Sequence, residues 1–371
     1  MRYKSFGKTG KNISVIGFGG MRFPKDEDYG AEMVRYANKM GINYFDTAPG
    51  YCDDRSEHIM GKAFLNMPGE FFVSTKSSAN SDPTADDVMR RIEASLKRLN
   101  VSKINFYNMW CILDMEKYGR VMMKGGPLEG AMRAKREGLV EHVCFTTHAK
   151  GEEIAQIIED GHFEAVTLGY NIINFPYREK GVEAAYKHGI PVVTMNPLGG
   201  GVIGKNSDYF KFLIKRPGET AVQAALRFNA SHKGINVVLS GFNKLEEIDE
   251  NIRAVENLTE LTDEEISQIK GNIRESLNQL CTSCGYCMDC PQGLDIVEYM
   301  DLYNEYILLG DDPIKEYAEF LKSKFKLESY ISGINSCINC KNCEGSCTQK
   351  LTITDRLKHL VRMMSKFVAS K

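Results

Sequence analysis

The sequence predicts an α/β fold: an eight-stranded (β/α)8 TIM barrel over residues 1–275, then a mostly helical, cysteine-rich domain over 276–371. Three observations lead there. Short apolar segments alternate eight times with helix-periodic ones, as buried parallel strands and their crossover helices must. Two of those segments end in charged residues, Asp46 and Lys76, at the strand end where a barrel of this kind keeps its chemistry. Eight of the 11 cysteines crowd between Cys281 and Cys347. Alternation by itself also fits a doubly wound sheet, which stays open on pattern alone.

In chain order, Phe6-Gly7-Lys8-Thr9-Gly10-Lys11-Asn12 is a glycine-bearing turn between two short apolar arms, the signature of a hairpin. The second arm runs into Val15–Phe18, the first barrel strand. Gly17-Phe18-Gly19-Gly20 is not a GxGxxG phosphate loop and reads as a strand end needing close backbone approach. Further strands are expected near 42–46, 71–76, 104–110, 141–147, 165–170, 190–196 and 236–241. Residues 84–99 put Val88, Ile92, Leu96 and Leu99 on one helical face, with Thr84 at the start and Asp86 and Asp87 in the first turn. A second helix is expected over 150–160. The longest strand-to-strand gap, 197–235, opens with Leu198-Gly199-Gly200-Gly201 and suggests a flap over a ligand.

The chemistry centres on Asn43-Tyr44-Phe45-Asp46-Thr47-Ala48-Pro49-Gly50-Tyr51. A strand ends in Asp46, a Pro-Gly loop carries Tyr51, and a helix follows, capped by Asp54 or Ser56. Phe71–Lys76 repeats the design with a lysine. Asp46, Tyr51 and Lys76 at one rim would make an acid catalyst, a phenol rendered more acidic by a neighbouring ammonium. The plainer alternative is a rim salt bridge beside an incidental tyrosine.

With 43% hydrophobic and 26% charged residues and a net charge of -2, the chain has ordinary globular composition. No basic stripe suggests nucleic acid. The N-terminal residues lack a signal-peptide core, and no apolar run approaches the ~20 residues of a membrane span. The expectation is a soluble, cytoplasmic protein with no membrane role. The isolated Cys52, Cys111 and Cys144 read as small buried apolar residues.

Phe6-Gly7-Lys8-Thr9-Gly10, Asp46-Thr47-Ala48-x-x-Tyr51, Ser56-Glu57-x-x-x-Gly61-x-Ala63 and Lys76 together resemble the aldo-keto reductases. So do Asn196-Pro197-Leu198-Gly199-Gly200-Gly201 and Leu239-Ser240-Gly241 with Glu250-Asn251. The resemblance covers about residues 1–275 and implies a barrel that binds NAD(P)H at the strand C-termini. It implies Tyr51 as proton donor to a carbonyl oxygen, with Lys76 lowering its pKa and Asp46 holding Lys76. The family's histidine after the fourth strand is replaced by Trp110, the only tryptophan. An indole N–H donates a hydrogen bond but cannot relay a proton. His148 would be an alternative titrating group, although it reads as a surface-loop residue. The resemblance further implies Thr146, Thr147 and Asn171 around the nicotinamide and Asn196, Leu198 and Gly200 on the flap. Ser240, Asn243, Glu250 and Asn251 would fall near the adenosine. Glu247 stands where many NADPH-dependent members carry an arginine, which leans the choice toward NADH, with Lys244 as a counterweight.

The tail reads Cys281-x-x-Cys284-x-x-Cys287-x-x-Cys290-Pro291, then Cys337-x-x-Cys340-x-x-Cys343-x-x-x-Cys347. In two-cluster ferredoxins three closely spaced cysteines hold one cubane and the remote one serves the other. Cys281, Cys284, Cys287 and Cys347 are therefore expected to bind one [4Fe–4S] cluster, and Cys337, Cys340, Cys343 and Cys290 the second. Two departures stand out: only two residues precede Cys290, and Thr348 replaces the customary proline. Two four-cysteine zinc sites are the competing reading, though those usually show separated CxxC pairs. Residues 295–330 read as Tyr- and Leu-rich helix, and 353–369 as a basic amphipathic helix (Leu357, Leu360, Val361, Met364, Phe367) packing back on the body. A barrel reductase with a ferredoxin-like C-terminal domain is a known subgroup that the chain resembles over nearly its whole length.

The expectation is thus an oxidoreductase moving a hydride between NAD(P)H and a small carbonyl or alcohol. Its clusters would exchange single electrons with a ferredoxin or another redox partner. One-electron carriers cannot reduce a nicotinamide in one step, so a flavin is an additional candidate although no flavin motif is visible. Two alternatives remain. One is an electron-transfer subunit whose barrel is a docking scaffold with altered catalysis; the other makes the clusters structural staples.

Overall fold

The computed structural model describes residues 1–256 and 258–368, which form two compact units. The first comprises Met1–Leu198 and Lys211–Gln268. Its strands are β1 (Tyr3–Ser5), β2 (Asn12–Ser14), β3 (Ile16–Gly19), β4 (Tyr44–Asp46), β5 (Phe72–Ser78) and β6 (Ile104–Ile112), then β7 (Val140–Thr147), β8 (Val166–Gly169), β9 (Val192–Met195) and β10 (Val237–Gly241). Strands β3 to β10 are parallel and close on themselves, β10 pairing with β3 through Ser240 and Phe18. Closure excludes the doubly wound sheet.

The strands form where short apolar runs can be buried on both faces. The β1–β2 hairpin is antiparallel and delivers Phe6, which is fully buried against Tyr44 and Phe106 with ring centroids 6.1 and 4.9 Å away. With Ile13, Phe72, Cys144, Val193 and Val237 these rings form one apolar cluster at the N-terminal ends of the strands.

Helix Ala85–Leu99 starts at Thr84, whose hydroxyl accepts the Asp87 N–H while the Asp87 carboxylate accepts the Thr84 N–H. This reciprocal cap satisfies two otherwise orphaned donors. Asp54 behaves differently from expectation. It occupies the position before helix Arg55–Phe64, but its backbone is left-handed and its carboxylate turns back to accept the Gly50 N–H at 2.8 Å. Gly61 lies where this helix crosses the next: a Cβ there would fall 2.0 Å from the Arg98 carbonyl oxygen. Gly61→Ala must force the two helices apart, and a loss of about 1–3 kcal/mol is expected from overpacking against backbone. Chemical denaturation would show it, and an unchanged midpoint would contradict the contact.

The second unit comprises Gly199–Phe210 and the residues from Ile269 onward. The chain passes from the first unit to the second within helix Asp263–Asn272, and the segment Gly199–Phe210 belongs with the second unit. Its helices are Ile296–Leu309, Asp312–Ser323, Leu327–Asn335, Asn342–Ser346 and Ile353–Ser365. Leu357, Leu360 and Met364 of the last helix are buried with Met300, Ile314 and Ile331, while Val361 and Phe367 pack at the edge of that cluster. Of the expected span 353–369, residue 369 lies outside the described residues. Among the described residues no helix is long and apolar enough to cross a membrane.

Candidate active site and metal centres

Asp46 ends β4 and Lys76 lies two residues before the end of β5, so parallel pairing sets the two side by side at the barrel mouth. The Lys76 ammonium donates to Asp46 Oδ1 at 2.7 Å and to the Thr47 carbonyl at 2.6 Å. Both residues are almost wholly buried, with exposures of 2% and 3%. The second carboxylate oxygen accepts from Ser74 Oγ at 2.7 Å, and Asn108 Nδ2 donates to the same hydroxyl at 3.0 Å. A buried pair persists only when its remaining polar sites are satisfied, and this chain of hydrogen bonds does so.

Tyr51 stands over the pair, the Lys76 nitrogen 5.0 Å from its ring centroid. Trp110 meets that ring edge-on at 5.8 Å. The Tyr51 loop is held from below: Ser56 Oγ donates to the Gly20 carbonyl and pairs with Thr47 Oγ1, both at 2.7 Å. Glu57, fully buried, accepts from Thr75 Oγ1 at 2.7 Å and from Arg98 Nε at 2.6 Å. Cys52, Asp53 and Asp54 are consecutively left-handed (φ 55, 58 and 63°), a conformation costing about 1–2 kcal/mol per residue and maintained by that scaffold. Trp110 arrives at the mouth through a register shift in the β6–β7 pairing between Met109 and Ile112, the kind of bulge that re-aims a side chain. An open hollow at the mouth is lined by Pro49, Gly50, Lys76, Ser77, Arg91 and Trp110, among others. The chemistry of the mouth is that of a phenol beside a fixed ammonium, opening on a space for a small molecule.

The residues expected to hold a dinucleotide divide into two sets. Thr146 Oγ1 and Ser240 Oγ are buried at strand ends without a hydrogen-bond partner, as groups awaiting a polar ligand would be. Thr147 instead donates to the Ile112 carbonyl and accepts the Ala149 N–H. Asn171 is likewise engaged, donating to the Asn196 carbonyl and accepting from the Ile173 and Asn174 N–H groups. Asn196 itself is left-handed (φ 57°), and Leu198 is half-buried. Gly200 belongs to the second unit, where a Cβ would fall 2.2 Å from the Thr282 carbonyl oxygen. That close packing accounts for the glycine. In helix Leu245–Glu256, Asn251 is buried and Glu250 half-buried, while the Asn243 N–H donates to the Glu247 carboxylate at 2.7 Å.

His148, expected on the surface, is 7% exposed and packs against Gly169. Burial, reinforced by the Arg178 guanidinium, pulls its pKa down to about 3. It is therefore neutral at ordinary pH and does not replace the missing histidine as a titrating group. Above about pH 6.5 both folded and unfolded chains hold it neutral; below, only the unfolded chain takes up the proton. Stability is expected to fall as pH drops from about 6.5 toward 3, and His148→Gln should flatten that loss in denaturation midpoints. An unchanged acid dependence in the variant would refute the assignment. Among the isolated cysteines, Cys144 is buried as expected, whereas Cys52 and Cys111 are only half-buried because their loop and bulge lie at the rim.

In the second unit two hollows are each ringed by four cysteines. Cys281, Cys284, Cys287 and Cys347 line one; Cys290, Cys337, Cys340 and Cys343 line the other. Each run thus sends its last cysteine to the opposite hollow. Among the described residues no three His, Cys, Asp or Glu side chains gather closely enough for a single metal ion. Four thiols around one hollow are the donor set of an iron–sulfur cluster. Val297, Met300, Leu351 and Ile353 complete the first wall, Leu294 and Ile296 the second.

Several residues that the sequence did not single out shape the first hollow. The Asn304 amide clasps the Cys281 backbone, accepting its N–H at 2.8 Å and donating to its carbonyl at 2.9 Å. The Ser283 and Leu351 N–H groups donate to the sulfurs of Cys281 and Cys347, each at 3.4 Å. Thr348, in the place of the customary proline, brings its hydroxyl within 3.6 Å of Cys284 Sγ. Burial pushes the Cys281 and Cys287 thiols up to about 12, so loading with metal would have to displace their protons. In the barrel, Ser74 and Asn108 were also missed; single polar residues inside apolar strands were the available signal.

Comparison with known proteins agrees with both halves. The model of the aldo/keto reductase family matches residues 15–274, and that of a 4Fe-4S dicluster domain matches residues 280–352. L-galactose dehydrogenase of Arabidopsis thaliana is 26% identical over 293 residues, covering 70% of this chain and 89% of the relative. An uncharacterized oxidoreductase of Bacillus subtilis, YqkF, is 21% identical over 310 residues, covering 75% and 98%. Among solved structures, the holo form of aldo-keto reductase AKR11C1 from Bacillus halodurans superposes with a TM-score of 0.64 at 20% identity, over 74% of this chain and 97% of that one. An aldo-keto reductase from Klebsiella pneumoniae in complex with NADPH gives 0.60 at 19%, over 73% and 95%. The buried lysine–aspartate pair under a tyrosine is therefore set in a barrel of recognised ancestry: the chain belongs to the aldo/keto reductase family and carries a C-terminal 4Fe-4S dicluster domain.

Proposed function

We propose that this protein is an NAD(P)H-dependent oxidoreductase acting on a small carbonyl or alcohol, with Tyr51 as the proton donor and two [4Fe–4S] clusters that exchange electrons with a redox partner. The observation that carries the first half is the Lys76 ammonium 5.0 Å from the Tyr51 ring centroid and bonded to buried Asp46. A nicotinamide, when bound, supplies the hydride. Tyr51 would give its hydroxyl proton to the carbonyl oxygen, and the Lys76 charge would stabilise the phenolate left behind. Asp46, Ser74 and Asn108 keep Lys76 in place, and Trp110 bounds the substrate space. Thr146 and Ser240 would offer their free hydroxyls to the cofactor. The anchored carboxylate of Glu247 would repel a 2′-phosphate, so NADH is the preferred cofactor.

Cys281, Cys284, Cys287 and Cys347 would hold one cluster and Cys290, Cys337, Cys340 and Cys343 the other, supplying one-electron steps. Cys340, exposed in the second hollow, favours electron entry there from a ferredoxin-like protein. The test is anaerobic mixing of the cluster-loaded protein with NADH or NADPH and a panel of aldehydes and ketones. Loss of nicotinamide absorbance with alcohol formation is expected, faster with NADH. Cluster reduction without any carbonyl turnover would overturn the reading in favour of an electron-transfer subunit, which Trp110 in place of a proton-relaying residue favours as the second possibility.

A further inference from the structure

Arg356 lies near the start of helix Ile353–Ser365 and is 5% exposed. Its Nη2 donates to Gln279 Oε1 at a long 3.5 Å, its guanidinium lies 4.8 Å from the Tyr303 ring centroid, and its Nη1 is buried with no hydrogen-bond partner. Its partners are an amide and a ring; among the described residues no carboxylate pairs with it. A buried guanidinium without a countercharge costs several kcal/mol, so something anionic should stand nearby.

Its neighbours point to the first hollow. Gln279 precedes Cys281 by two residues, and Tyr303 adjoins Asn304, whose amide clasps Cys281. Leu351 and Ile353, which lead from Cys347 into the helix of Arg356, line that hollow. Burial lowers the pKa of Arg356, and the Tyr303 phenol with the Cys281 and Cys347 thiols pull it the other way.

We propose that Arg356 is the buried countercharge of the Cys281–Cys284–Cys287–Cys347 hollow and raises the reduction potential of the [4Fe–4S] cluster held there. This rests on the cluster reading above. A cubane in four thiolates is net negative and becomes more so on reduction, so a fixed cation stabilises the reduced form more. Among the described residues that line the second hollow the one cation, Lys341, is exposed, where water and salt screen it. The two clusters therefore differ in potential through a charge that only one of them feels at full strength. Arg356 acts through the cluster and is a tuning residue, not a catalytic one.

The experiment is an anaerobic redox titration, followed by electron paramagnetic resonance, of the full-length two-cluster protein and its Arg356→Gln and Arg356→Lys variants. Arg356→Gln should lower one midpoint so that the oxidised-to-reduced ratio at fixed potential rises about tenfold, or about 59 mV for one electron, the other midpoint staying in place. Arg356→Lys should hold both midpoints near wild type. The proposal is overturned if Arg356→Gln moves neither midpoint or both equally, or if Arg356→Lys moves one as far. Should Arg356→Gln load one cluster while Arg356→Lys loads two, charge is the requirement and the proposal stands. Loss of a cluster in both variants would assign Arg356 to packing and overturn it. Wild-type protein that binds iron and sulfide for fewer than two clusters would instead defeat the cluster reading itself, before any variant is made.

Discussion

Tyr51→Phe is expected to lower kcat for nicotinamide-linked carbonyl reduction by about 10²–10⁴-fold, the range removed with a general acid. The substitution deletes one oxygen and keeps the ring, so the edge-on contact with Trp110 and the packing over Lys76 persist. Nucleotide affinity should stay within a few-fold, since no residue expected to grip the dinucleotide changes. The cluster spectrum and midpoints should be untouched, because all eight cysteines from Cys281 to Cys347 lie in the other unit. Steady-state kinetics, nucleotide binding and an optical spectrum on one preparation check all three. Full turnover in the variant would remove Tyr51 from the chemistry; loss of turnover together with altered clusters would mean that folding had failed.

The second large effect concerns which sulfurs share a cluster. Pairing by hollow joins Cys284 with Cys347, whereas pairing by run would join Cys284 with Cys290. Single substitutions do not separate these schemes, since either removes one cluster. Double substitutions do. Cys284→Ala with Cys347→Ala should leave half the iron and sulfide, both losses falling on one hollow. Cys284→Ala with Cys290→Ala should leave almost none. The reverse outcome would establish pairing by run. Each lost cluster should also lower the stability of the cysteine-bearing unit, whose apolar cluster is small and whose hollows would collapse or flood without their contents.

Much of this was legible along the chain. All eight barrel strands were expected within a few residues of where they lie, because burial on both faces demands short apolar runs bounded by polar turns. Thr84 was read as a helix start because a hydroxyl with an acid three residues on has one economical use. The cysteine spacing carried the exchange of Cys290 and Cys347 between the runs, since a cubane held by three nearby sulfurs must seek its fourth elsewhere.

What was misread depended on neighbours distant in sequence. Asp54 has the composition of a cap, but a left-handed backbone turned its carboxylate to Gly50. His148 follows a strand and was placed on the surface, yet Gly169 and Arg178 enclose it and hold it neutral.

The sequence by itself determined the barrel, its Asp46, Tyr51 and Lys76, and the division of eight cysteines into two sets, because each is written in local period or spacing. The tertiary structure alone decided what surrounds them: Ser74 and Asn108 behind the Lys76–Asp46 pair, the bulge that presents Trp110, and the buried, unbonded Nη1 of Arg356. The reason is physical. Periodicity reports how one segment meets the core, whereas the energy of a buried charge depends on every group that folding brings within a few ångströms of it.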